Sequence, residues 1–172
     1  MNVVLIGYRG TGKTFVGRAL ARKIGWKFRD SDDEVVKRAG WTISEIFRRS
    51  GEQEFRRLEK EAIFFLTSLN SHVIATGGGA VLDEENVENM KRNGFVVLLE
   101  ASAETIFDRI GKDKNRPSLT DKEGIEEVEH LLELRKPFYE NAADARVSTE
   151  TAGIEENVEE IVALMKGRGI LV

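Results

Sequence analysis

Gly7-Tyr8-Arg9-Gly10-Thr11-Gly12-Lys13-Thr14 stands between an apolar run, residues 2–6, and a stretch in which Val16, Ala19, Leu20 and Ile24 share one helical face until Gly25. The pattern G-x-x-x-x-G-K-[ST], set between a strand and a helix, constrains the fold more than any other feature of the chain. Its glycines let the loop turn so that successive N–H groups converge on an anion, and the positive end of the helix adds to them. Gly10, Thr11, Gly12, Lys13, Thr14 and Phe15 are therefore the expected nucleoside triphosphate contacts. Lys13 is expected on the β- and γ-phosphates and the Thr14 hydroxyl on Mg2+.

Strand-type runs at 2–6, 26–29, 72–75, 95–100 and 145–148 alternate with helical patterns. The first, third and fourth are almost continuous in Val, Ile and Leu, as strands buried on both faces are. The alternation predicts an α/β fold, a five-stranded parallel sheet covered by helices on both sides in three layers. Phe55, Leu58, Ala62, Phe65, Leu66 and Leu69 mark a long helix, with Ser50-Gly51-Glu52-Gln53 read as its capping box. Val87 and Met90 mark a short helix closed by Gly94, and Ile154, Val158, Ile161, Val162 and Met165 a C-terminal one. Two segments break the rhythm: a helical insertion at 30–49, and a polar stretch near 111–124 whose length and lack of periodicity fit an active-site lid.

At 172 residues, 41% hydrophobic and 33% charged, the chain matches a single folded domain that buries a substantial core. A net charge of −4 and a pI near 5.4 argue against general affinity for nucleic acid. The absence of cysteine excludes disulfides and thiolate metal sites. No apolar stretch approaches the ~18 residues of a membrane span. The opening MNVVLIG has neither the basic start nor the long apolar run of a secretory leader, so a cytoplasmic protein is expected.

Three constellations bear on what receives the phosphoryl group. Asp30 and Asp32 follow the second strand, at the end where a parallel sheet places its ligands. In extended backbone they would face the same side, one helping to hold Mg2+ through water and the other taking a proton from an attacking hydroxyl. The plainer reading is that such acids cap the next helix, and Asp33 is assigned that part. Arg56, with Glu59 one turn on to orient it, suits bidentate capture of a carboxylate; taken alone, it reads as half of a surface i, i+3 pair. Gly77, Gly78 and Gly79 leave the third strand, either as a tight turn or as a place where a ligand nears the backbone. No Walker-B acid precedes them in Val73-Ile74-Ala75-Thr76, so metal binding must lean on Thr14, the Asp30 region and water.

Together the phosphate loop, Asp30-Ser31-Asp32, G-E-Q-E-F-R-R-L-E at 51–59, the triple glycine, Arg116-Pro117 and L-R-K-P-F-Y at 134–139 resemble the shikimate kinase family, in order and over nearly the whole chain. The resemblance implies the nucleoside-monophosphate-kinase-like fold, sheet order 2-3-1-4-5, a helical substrate-binding segment about 31–60 and a mobile lid about 111–124. It implies transfer of the ATP γ-phosphoryl group to the 3-hydroxyl of shikimate, a step toward aromatic amino acids. Carried over residue by residue, Asp32 contacts the shikimate hydroxyls and is the candidate base, and Asp30 meets Mg2+ through water. Arg56 and Arg135 grip the shikimate carboxylate beside Gly77, Gly78 and Gly79. Arg116 swings from the lid onto the phosphates, and Arg109 lies near the adenine. The partners so implied are ATP and shikimate, with Mg2+ as cofactor, no nucleic acid, no membrane and a monomeric chain.

Two departures stand out: Arg9 where the family's loop often has Met, and Ser118 where a hydrophobic residue often follows the lid proline. Neither falls on a motif role. Gluconate or a nucleoside monophosphate would keep the reaction class and change the acceptor, since both are anions. A nucleotide switch without turnover is a third reading, opposed by the acidic pI and the lack of a basic, aromatic-rich face.

Overall fold

A computed structural model describes residues 1–110 and 124–171. Five parallel strands form one sheet in the order β2-β3-β1-β4-β5, from β1 (Asn2–Ile6), β2 (Lys27–Asp30), β3 (His72–Ala75), β4 (Gly94–Glu100) and β5 (Ala145–Ser148). The helices are α1 (Lys13–Ile24), α2 (Ser31–Ala39), α3 (Ile43–Ser68), α4 (Glu84–Asn93), α5 (Ala103–Ile110), α6 (Ile125–Ala142) and α7 (Ile154–Gly167). The expected order and layering are observed. Of the expected lid, residues 111–123, with Arg116, lie outside the described residues.

The continuous apolar run of β1 follows from its central place, where both faces are covered. Val3 and Leu5 point into a core shared with α1 and α7, and Val4 and Ile6 into one shared with α3, α4 and the end of α6. All four are fully buried. Each stabilises the fold by roughly 1.5–3 kcal/mol relative to exposure. The strand therefore delivers the loop that follows it, 7–12, from a rigid base.

The insertion at 30–49 forms α2 and the first turns of α3, which pack on the later part of α3 around Val35, Ile46, Phe55, Leu58 and Ala62. Four local expectations are corrected. The capping box of α3 lies at Thr42 and Glu45, not at 50–53. Gly51 instead sits inside the helix with φ 78° and ψ 178°, a break in its regular backbone. Asp30, not Asp33, caps α2, accepting from the Asp32 N–H at 2.9 Å. Asp32 is consequently in the first helical turn, and the two acids converge through a strand-to-helix corner, not through extended backbone. Phe65, counted with the inner face of α3, is exposed, with the Arg38 guanidinium 4.9 Å from its ring.

Candidate active site

Every strand ends on the same rim, and the loops leaving β1, β2 and β3 meet there. In the loop after β1, Gly7, Gly10 and Gly12 have φ of 138°, 82° and 90°, a left-handed series that side-chained residues resist. No acid lies in the first turn of α1 and no side chain caps it, so its N–H groups are left facing the loop. The buried Lys13 Nζ donates to the carbonyls of Gly7 at 2.7 Å and Tyr8 at 2.8 Å, which holds the ammonium over the loop.

This loop floors a cleft of about 900 Å3 to which Gly10, Thr11, Gly12, Lys13, Thr14, Phe15, Asp30 and Arg109 contribute. Arg109 donates to Gly10 O at 3.2 Å and to Thr149 O at 2.7 Å. Thr149 in turn donates to Thr11 O at 3.0 Å, so the exit of β5 is fastened to the phosphate loop. Sequence reasoning missed Thr149, because nothing local distinguishes it from any residue that follows a strand.

The Thr14 hydroxyl donates to Asp30 Oδ2 at 3.3 Å. Burial pushes the Asp30 carboxyl above its ordinary range, and the neighbouring Asp32 and Asp33 add to the shift. Among the described residues no ion pair to Asp30 forms. A hydroxyl and an electrostatically strained carboxylate beside a phosphate loop suit Mg2+, which keeps several waters and shares phosphate oxygens. No cluster of three or more acidic, His or Cys ligands occurs among the described residues.

A second, smaller cavity adjoins the first. Ile43, Phe47 and Phe55 supply its apolar wall, and Arg56, Glu59, Arg135 and Gly77 to Gly79 its polar one. Arg56 Nη1 donates to Glu59 Oε2 at 2.7 Å, so the orienting role expected of Glu59 is observed. Burial pushes the Glu59 carboxyl up, against the pull of Arg56. Arg135 comes from α6, its guanidinium 5.6 Å from the Tyr8 ring centroid.

The triple glycine makes room for these charges. A Cβ on Gly77 would lie 2.6 Å from Glu59 Oε1 and 3.1 Å from Asp32 Oδ1, and one on Gly79 would lie 2.7 Å from both Arg56 terminal nitrogens. The Gly77 N–H donates to the buried Ser31 Oγ at 3.0 Å, and Tyr139 Oη donates to Gly78 O at 2.6 Å. Burial raises the Tyr139 hydroxyl to about 12, keeping it a neutral donor. Ser31 and Tyr139 were missed; the position of Ser31 between two site acids was the available signal.

Both cavities are lined by Arg9, Asp32, Gly77 and Gly78. The structure thus brings every proposed site residue it describes to one rim, with an anion cradle on one side and paired arginines on the other. The family model described as shikimate kinase matches residues 9–166.

The chain belongs to the shikimate kinase family.

The shikimate kinase of Caldanaerobacter subterraneus subsp. tengcongensis is 42% identical over 97% of this chain and 99% of its own length. That of Thermodesulfovibrio yellowstonii is 44% identical over 94% of this chain and 92% of its own. Among solved structures, shikimate kinase from Acinetobacter baumannii in complex with shikimate superposes with a TM-score of 0.92 at 37% identity, covering 97% of this chain and 93% of that one. As a member of the shikimate kinase family the protein is a kinase of the phosphate-loop fold, and the gluconate and nucleoside-monophosphate readings draw no support from these relatives.

Proposed function

We propose that the protein transfers the γ-phosphoryl group of ATP to the 3-hydroxyl of shikimate, giving ADP and shikimate 3-phosphate for aromatic amino acid biosynthesis. The observation that carries this reading is the junction of the two cavities at Asp32, Gly77 and Gly78, with Lys13 on one side and Arg56 with Arg135 on the other. Two guanidiniums at the far end, the buried Arg135 and the half-buried Arg56 that Glu52 and Glu59 hold in place, fit an acceptor that is itself an anion.

In this reading Arg56 and Arg135 hold the shikimate carboxylate, and the glycine run lies against the ring. The acceptor hydroxyl then faces Asp32, which takes its proton as the new bond to phosphorus forms. Gly10 to Phe15 and Arg109 hold ATP, and Lys13 offsets the charge that develops on the phosphates. Arg116, by resemblance, adds a second cation from the lid. Thr14 and, through water, Asp30 would hold Mg2+, which when bound neutralises phosphate charge. The acidic chain acts as a cytoplasmic monomer without nucleic acid; among the described residues no helix is long and apolar enough to cross a membrane.

ADP release by the purified protein tests the reading. Stimulation by shikimate, with none by gluconate, nucleoside monophosphates or nucleic acid, supports it. ATP consumption indifferent to shikimate overturns it.

A further inference from the structure

The phosphate loop carries a cation its motif does not require. Arg9 occupies a variable position of G-x-x-x-x-G-K, where the backbone N–H groups and Lys13 already provide for the nucleotide. Of the four residues lining both cavities, one is an anion, two are glycines and one, Arg9, is a cation. The phosphoryl group must cross that boundary. Without Arg9, the only full side-chain charge contributed by these four residues would be the carboxylate of Asp32, of the wrong sign for a group whose equatorial oxygens are negative.

The setting of Arg9 leaves its donors available. One terminal nitrogen lies 3.8 Å from Glu127 Oε2, at the outer limit of an ion pair, on the first turn of α6. Its Nε is buried and has no hydrogen-bond acceptor among the described residues. The guanidinium carbon lies 6.0 Å from the Tyr8 ring centroid, within the outer range of cation–π attraction. The backbone beneath packs closely on the glycine run, since a Cβ on Gly78 would lie 3.3 Å from the Arg9 nitrogen. A guanidinium held only by a long ion pair and a distant ring contact, with its Nε unpartnered, can turn toward a ligand.

We propose that Arg9 is a catalytic residue, donating to the equatorial oxygens of the phosphoryl group as it passes from ATP to the acceptor. The bond from the γ-phosphorus to the ADP oxygen breaks, the bond to the shikimate 3-oxygen forms, and the hydroxyl proton goes to Asp32. Arg9 neither gains nor loses a proton; it stabilises charge that is greatest in transit. This assignment rests on the reaction proposed above and adds a cation from the phosphate loop itself to Lys13 and the lid.

The test compares the intact protein with R9M, which keeps the bulk and removes the charge, and R9K, which keeps the charge and removes the planar fork. Removing a donor that acts in the transition state should lower kcat about 100-fold in R9M, with KM for ATP and shikimate changed less than about threefold. R9K should recover part of the loss. In a second measurement, ADP with aluminium fluoride and shikimate mimics the phosphoryl group in transit. R9M should weaken that complex by a factor similar to its kcat loss, while ADP alone and shikimate alone bind as to the unaltered protein. Two results overturn the role: a kcat within twofold of the unaltered protein, or a raised KM for shikimate at unchanged kcat. The second would make Arg9 a ground-state carboxylate ligand. Absence of shikimate-dependent turnover in the unaltered protein would instead strike the proposed reaction, and Arg9's part in it.

Discussion

Gly79 has a φ of −96°, which any residue adopts, so it is glycine for space and not for conformation. Its missing Cβ is where the Arg56 guanidinium lies, and the missing Cβ of Gly77 is where Glu59 and Asp32 approach. Gly79→Ala should therefore push on the far end of a flexible side chain and spare the fold. Charge-assisted hydrogen bonds of the kind Arg56 would make are worth about 1.5–3 kcal/mol. Partial misplacement of that grip should raise KM for shikimate about tenfold while kcat and the melting temperature stay near their original values. Steady-state kinetics beside a thermal melt check this, and unchanged KM would show that the arginine relaxes freely. T-G-G-G-A was legible as a place of close approach. What approaches was not, because Arg56, Glu59 and Asp32 arrive from α2 and α3, whose docking is a tertiary fact.

At the scale of elements, α3 does two jobs because it bends. Ile43 and Phe47 before Gly51, and Phe55, Arg56 and Glu59 after it, all reach the smaller cavity. The rings of Phe47 and Phe55 meet at 4.9 Å across the break. Backbone at φ 78° and ψ 178° is open to glycine alone, and a Cβ there would touch nothing within 4 Å, so any loss on substitution is strain and not collision. Gly51→Ala should cost about 1–3 kcal/mol. At this chain length each kcal/mol lowers the melting temperature by about 2–4 °C, which calorimetry resolves. Glycine in an S-G-E-Q run also resembles a helix start, and that is how the sequence misled: the local signal for a cap and for a break is the same. Pro137 lies inside α6, the helix that carries Arg135 and Tyr139 and that the periodicity of the sequence did not announce. Strands β1, β3 and β4, by contrast, were legible almost to the residue, because burial on both faces leaves little freedom in their composition.

Asp30 joins β2 to α2, capping the helix with a carboxyl that strains the fold around it. Its carboxyl is pushed above its ordinary range by burial first and then by Asp32 and Asp33, so the folded protein binds that proton more tightly than the unfolded chain. Stability from this group is present below the ordinary carboxylate pKa and is lost as pH rises through the raised one. At neutral pH the charge is a liability that a cation would relieve. Asp30→Asn keeps an oxygen for the cap and removes the charge, and Asn caps helices as well as Asp does. Without metal or nucleotide it should raise the melting temperature at pH 7 by about 2–4 °C, the equivalent of ~1 kcal/mol. The gain should shrink toward zero as pH falls below the ordinary carboxylate range, and activity should fall at every pH. A variant no more stable than the original at pH 7 would remove the electrostatic strain from the account.

Over the whole molecule, the sheet sets the two cavities proposed as anion sites side by side while keeping their machinery apart. Lys13 belongs to the cleft alone and Arg56 to the smaller cavity alone. Each stands on a different support: Lys13 at the start of α1, fed by the central strand, and Arg56 midway along α3. Loss of one should therefore leave the other half able to bind. A ligand at about 100 times its dissociation constant stabilises by about 2.7 kcal/mol, which at this size lifts the melting temperature by about 5–10 °C. Lys13→Ala should keep the shift caused by shikimate and lose most of that caused by ADP. Arg56→Ala should do the reverse, from a lower starting temperature, because Glu59 is then buried without its cation. The crossed pattern depends on both sites being real and separate. If either variant lost both shifts while still melting as a folded protein, the two cavities would have to be a single site, and phosphoryl transfer between bound partners would need a different geometry.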